Sequence, residues 1–202
     1  MPAEDAWRTL VPEASGTSVL QGVTMVNERF VTLWMTDARH EVRVHGLDGQ
    51  PGAEVALPAL GAVSAVTGRR AHKEMFYSFG SFLYPTSVYR YDFASAKSEV
   101  FKKPALDFDP SGYETVQVFY NSKDGTRIPM FLTHKKGLRK DGANPTLLYG
   151  YGGFNIPMLP AFSPAAAGWL EMGGVFAVAN LRGGGEYGQA WYDAGRLQSK
   201  QN

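Results

Sequence analysis

The sequence predicts two parts in one chain, a β-rich N-terminal half followed by an α/β C-terminal half. Three observations carry this. Short apolar runs recur at even spacing over the first hundred residues with no helical period. The loop PALDFDPSGY, residues 104–113, then breaks the pattern with two prolines and no apolar period. Beyond it, a hairpin is followed by strand, helix and strand, the order of a βαβ unit. The division falls between 1–105 and 106–202.

In the first part, RFVTLWMTD and HEVRVHGLDG are strands joined by a tight turn at Ala38-Arg39. EMFYSFGSF, TSVYRYDFAS and SEVFKK follow, with Ser, Gly and Lys at the breaks. In SVYRYDF, Val88, Tyr89 and Tyr91 mix with Arg90 and Asp92, the mark of a half-buried strand. Such spacing fits a sandwich, a barrel or propeller blades. A blade holds four strands, so this part has room for about two.

In the second part, TVQVFYNSKDGTRIPMFLTH is a hairpin turning at Asp124-Gly125. KKGLRKDGANP, a solvated basic loop, leads to the apolar strand TLLYG. Ser163 and Pro164 read as N-cap and first residue of a helix, PAAAGWLEM, that Gly173-Gly174 ends. VFAVANL is continuously apolar, as a buried parallel strand is.

Composition excludes several classes. The 202 residues carry a formal charge of +1 and 19% charged residues, so no electrostatic field points to nucleic acid or an anionic membrane. There is no cysteine, hence no disulfide and no thiol catalysis. The four histidines, His40, His45, His72 and His134, lack metal-site spacing and read as structural or surface residues; no metal and no cofactor are expected. The start MPAEDAWRTLVPEASG has neither the basic nor the apolar region of a secretory signal. The most membrane-like window, AFSPAAAGWLEMGGVFAVANL, has Glu171 near its centre and is better read as helix, turn and strand.

Two glycine clusters hold the candidate chemistry. RGGGEYG contains the spacing Gly183, Gly185, Gly188 after an apolar strand, the form of a dinucleotide loop. Against it, Glu186 would sit in the phosphate cradle, and YGQAWYDAGR is a poor helix. YGYGGFN lies between a strand and a helix, where α/β-hydrolases place a Gly-rich loop that helps build the oxyanion hole. Glycines bring backbone close to a reacting carbonyl. The Tyr151 phenol is a donor for a developing oxyanion, and Phe154 is an apolar face for a substrate side chain. The alternative is a turn whose aromatics fill the core.

YETVQVFYNSKDGTRIPMFLTHKKG, LLYGYGGFN, MGGVFAVANLRGGGEYGQAW and SKQN together resemble the prolyl oligopeptidase family of serine peptidases, in order, spacing and wording. FYSFGSFLYPTSVYRYD resembles that family's last propeller blades. The resemblance covers nearly the whole chain but a central section, well under half, of the usual family length. It implies the last blades of a β-propeller followed by the first part of an α/β-hydrolase domain. It implies cleavage of short proline-containing peptides after proline through an acyl-enzyme, by a parent that is monomeric and cytoplasmic by default, with the periplasm left open. By motif, Tyr151 matches the tyrosine of the oxyanion hole, and Phe154 matches an aromatic lining the pocket for the proline ring. RGGGEYG is then a structural turn in which Arg182 pairs with Glu186. No G-x-S-x-G occurs in the 202 residues; the family's serine, aspartate and histidine come later in the order. The isolated chain is therefore expected to be inactive, and its independent folding is in question.

Overall fold

The first two strands, β1 (Ser18–Val26) and β2 (Arg29–Thr36), turn on Asn27 and Glu28, whose φ angles are +52° and +51°. Two successive left-handed residues give the turn whose twist suits a two-residue hairpin. The same device recurs between β2 and β3 (Arg39–His45), at Asp37 (φ +47°) and Ala38 (φ +61°). That turn lies one residue earlier than Ala38-Arg39, because Arg39 already pairs with Thr36 in the ladder. The computed structural model describes residues 7–14 and 16–201.

With β4 (Pro51–Val55), these strands form an antiparallel meander in the order β1-β2-β3-β4. A second meander follows: β5 (Ala62–Thr67), β6 (Glu74–Gly80), β7 (Ser87–Asp92) and β8 (Lys97–Lys102). One apolar cluster joins the two sheets. Val26, Val31, Val42, Val44 and Val55 of the first meet Val63, Met75, Tyr77, Phe79 and Tyr91 of the second. Three of these strands escape the sequence pattern. β1 is interrupted by a bulge between Leu20 and Gly22. β4 begins with Pro51 and Gly52, as edge strands tolerate. β5 is only partly buried.

The third sheet has the order β11-β12-β10-β9. The hairpin of β9 (Tyr113–Asn121) and β10 (Arg127–Lys135) closes with Gly125 at φ +82°. β11 (Thr146–Gly150) reaches β12 (Val175–Ala179) through helix α1 (Pro164–Glu171). β12 runs parallel to β11 and antiparallel to β10. Ser163 caps α1 through a 3.4 Å bond from the Ala166 N–H, and Gly173, at φ +90°, ends it. β11 is an exposed edge bearing Leu147, Leu148 and Tyr149.

A smaller cluster crosses the two halves: Ala38 from the β2–β3 turn, Phe82 after β6, Phe131 of β10 and Val178 of β12. Among the described residues no helix is long and apolar enough to cross a membrane.

Candidate functional site

β11 delivers the chain into the first glycine cluster. Gly152 bends it at φ +58°, and Phe154 and Asn155 follow at +53° and +58°. A left-handed conformation is disfavoured for residues bearing a Cβ by about 1–2 kcal/mol each, and such outliers gather at functional sites. Two bonds hold the bend: the Ile156 N–H donates to Gly153 O and the Asn155 N–H to Gly183 O, both 3.0 Å. The result is a pair of aromatic rings in the open. Phe154 is 80% exposed and Tyr151 42%, with ring centroids 6.4 Å apart. They do not fill the core.

The second cluster supports the first. A Cβ on Gly183 would meet the carbonyl oxygens of Gly152 and Gly195, the latter at 2.8 Å; Gly183 also takes φ +97°. A Cβ on Gly184 would meet the Glu186 carboxylate, and one on Gly185 would lie 2.8 Å from Asn155 O. Each glycine therefore makes room for a different neighbour, and two of those neighbours belong to the YGGFN bend.

Glu186 points inward and is fully buried. Its Oε1 accepts from the Met158 N–H at 2.9 Å and from Asn180 Nδ2 at 3.3 Å. Burial pushes its pKa up, although the bonds from Met158 and Asn180 work the other way. The expected Arg182–Glu186 pair is not made. Arg182 turns to the β9–β10 hairpin, where it donates to Asp124, to Thr126 Oγ1 at 3.2 Å and to Ser122 Oγ at 3.1 Å. The guanidinium hydrogen bond holds Asp124 well below the usual carboxylate range, at about 2. Arg182 and Glu186 thus take partners from different elements, the β9–β10 hairpin and the Met158 segment.

This geometry also corrects the dinucleotide reading of Gly183, Gly185 and Gly188. Glu186 and Asn155 occupy the space against Gly184 and Gly185. The helix that follows, α2 (Gln189–Asp193), has five residues and no side-chain cap. The N–H groups of Gly183, Gly184 and Gly188, which a phosphate cradle would need, donate instead to Trp191 O, Leu181 O and Gly185 O.

Sequence spacing overlooks three residues that the structure brings in. Asn180 ends the apolar run of β12 and donates to Met158 O at 2.7 Å. Asp37, in the first sheet, accepts from the Tyr187 phenol at 2.7 Å. Lys200 donates to Gly152 O, on the bend itself. Asn180 carries a sequence signal of its own, a lone amide closing a buried apolar strand, and Lys200 lies in the SKQN motif; neither motif nor spacing indicates their partners.

Comparison with known proteins agrees across the chain. The family model described as the prolyl oligopeptidase N-terminal beta-propeller domain matches residues 1–104, and that of the prolyl oligopeptidase family matches 160–202. The chain is 43% identical over 201 residues to the prolyl endopeptidase of Elizabethkingia miricola, covering 100% of this chain and 28% of that protein. It is 36% identical to the prolyl oligopeptidase ophP of Omphalotus olearius, covering 98% and 27%. Among solved structures, it resembles a prolyl endopeptidase studied for inter-domain dynamics in catalysis and specificity, with TM-score 0.88, 47% identity, and 99% and 29% coverage. It also resembles prolyl oligopeptidase B from Galerina marginata bound to a 35mer hydrolysis and macrocyclization substrate, with TM-score 0.86, 32% identity, and 96% and 28% coverage. The chain thus spans little more than a quarter of the length of these relatives.

Proposed function

Since the chain belongs to the prolyl oligopeptidase family, we propose that it is a section of a serine-type peptidase that cleaves short peptides on the carboxyl side of proline through an acyl-enzyme. The observation that carries this reading is the strained bend that presents Tyr151 and Phe154 side by side in the open. Tyr151 donates its phenolic hydrogen to the oxyanion that forms when the scissile carbonyl is attacked. One such donor contributes on the order of 3 kcal/mol in the transition state. Phe154 offers its face to the proline ring of the substrate.

Residues 1–105 form the propeller portion in this reading and 106–202 the peptidase portion. The confinement of β1–β8 to two meanders, ending at Lys102, supports that division. The exposed β11 edge supports a larger protein around the chain, because an open apolar edge is an aggregation hazard by itself. The proposed partners are proline-containing peptides, and the whole enzyme is proposed to be monomeric and cytoplasmic, with the periplasm as the alternative compartment. The attacking serine and its aspartate and histidine partners are assigned to sequence outside residues 1–202, so the chain alone forms no acyl-enzyme.

The test is to read the coding frame upstream and beyond codon 202, express the complete product, and assay chromogenic peptides with proline or alanine before the scissile bond. Proline-selective turnover by the complete product and none by residues 1–202 is the expected result. A frame that holds no G-x-S-x-G elbow, or a complete product inert toward the proline peptide, overturns the reading and leaves a β-rich binding module.

A further inference from the structure

A fully buried carboxylate is normally matched by a cation. Glu186 is not: its nearest basic neighbour in sequence, Arg182, is engaged by Asp124. Its partners are instead a main-chain N–H and an amide, those of Met158 and Asn180. Asn180, equally buried, uses the same Nδ2 to reach Met158 O at 2.7 Å. One residue, Met158, is thus gripped at its N–H by Glu186 and at its C=O by Asn180. Both gripping side chains stand on the rigid end of β12 and the turn that follows it. Gly184 lies against the Glu186 carboxylate, so the turn is shaped to admit it.

Met158 lies at the far end of the bend that β11 begins. Between the two, Asn155 is tied to Gly183 O at 3.0 Å. The segment carrying Tyr151 and Phe154 is therefore anchored by β11 on one side and by this double grip on the other. We propose that Glu186 and Asn180 are positioning residues, acting through Met158 to hold the 151–158 bend in the form that presents Tyr151 and Phe154. The proposal rests on the reading of those two residues as substrate-facing. A bend containing two left-handed non-glycine residues does not keep that form unless its surroundings impose it. The grip supplies the constraint with hydrogen bonds whose geometry admits one arrangement, as apolar packing alone does not.

The experiment is amide hydrogen exchange on the complete protein, resolved by residue, in wild type, Glu186→Ala and Glu186→Gln, with proline-peptide kinetics alongside. Glutamine keeps an Oε1 acceptor for the Met158 N–H; alanine does not. In wild type the Met158 amide should exchange at least about tenfold more slowly than that of Phe154. Glu186→Ala should speed exchange at Asn155, Ile156 and Met158 by about tenfold, leaving the β10 amides unchanged, and lower kcat/KM by about tenfold or more. Glu186→Gln should restore both. Equal exchange at Met158 and Phe154 in wild type overturns the proposal, and this arm stands even where Glu186→Ala does not fold. Uniform acceleration across the sheet, or no rescue by glutamine, also overturns it. A complete wild-type protein that turns over no proline peptide defeats the substrate-facing reading, while the exchange pattern still decides whether the grip exists.

Discussion

The Tyr187 phenol donates to the Asp37 carboxylate at 2.7 Å across 150 residues of sequence. The main-chain oxygen of Asp37 accepts from Gln117, and the next residue, Ala38, packs in the cluster of Phe82, Phe131 and Val178. One β-turn of the first sheet thus makes both polar and apolar contact with the sheet that carries the site.

Tyr187→Phe should weaken this junction by about 1–3 kcal/mol, since a half-buried acceptor is left unpaired. The effect has a pH signature. Burial first, and the bond to Asp37 second, push the Tyr187 pKa above its ordinary value. The stabilisation is thus fully present below the unfolded tyrosine value of about 10 and is lost as pH rises beyond it. Thermal melts between about pH 8 and 11 should show an alkaline fall in wild type that is shallower in Tyr187→Phe. Parallel curves would remove Tyr187 from the junction.

At Arg182 the dependence runs the other way. Asp124 is held at about 2 by the Arg182 hydrogen bond, then by the Thr126 N–H. The contribution is present above the unfolded aspartate value of about 3.9 and disappears as pH falls toward about 2. Asp124→Asn should flatten the acid limb of stability in that window, read by melts at each pH. Arg182→Lys should lower the melting temperature too, because a point charge cannot serve Asp124, Thr126 and Ser122 from one fork.

Two glycines separate local freedom from close approach. Gly168, within α1, has open space where a Cβ would go. Gly168→Ala should stabilise by about 0.5–1 kcal/mol through helix propensity and chain entropy. Gly183→Ala should destabilise by more than that, because its φ is +97° and the Gly152 and Gly195 carbonyls close the space. Denaturant midpoints of the two variants should move in opposite directions.

What was legible in the sequence was what local chemistry decides. The Asp124-Gly125 turn, the Ser163-Pro164 helix start and the Gly173 stop each follow from a residue's own backbone preference. β1 and β4 were not legible, since a bulge and a Pro-Gly start erase the alternation that marks a strand. At the site, the glycine-rich bend between β11 and α1 could be located, but not its left-handed Phe154 and Asn155. The partner of Arg182 and the burial of Glu186 depend on which elements pack together, here the β9–β10 hairpin and the Met158 segment. The Arg182–Glu186 pair expected of the RGGGEYG turn is not made, because the fold directs the two side chains to opposite sides.

In the proposed function Tyr151 acts on the transition state and Phe154 on the substrate's proline. The decisive variant is Tyr151→Phe in the complete protein, followed by steady-state kinetics on a proline-containing chromogenic peptide. The expected result is a kcat lower by on the order of a hundredfold with KM nearly unchanged, the loss of a donor used only as the oxyanion forms. An unchanged kcat, or a loss confined to KM, would contradict it.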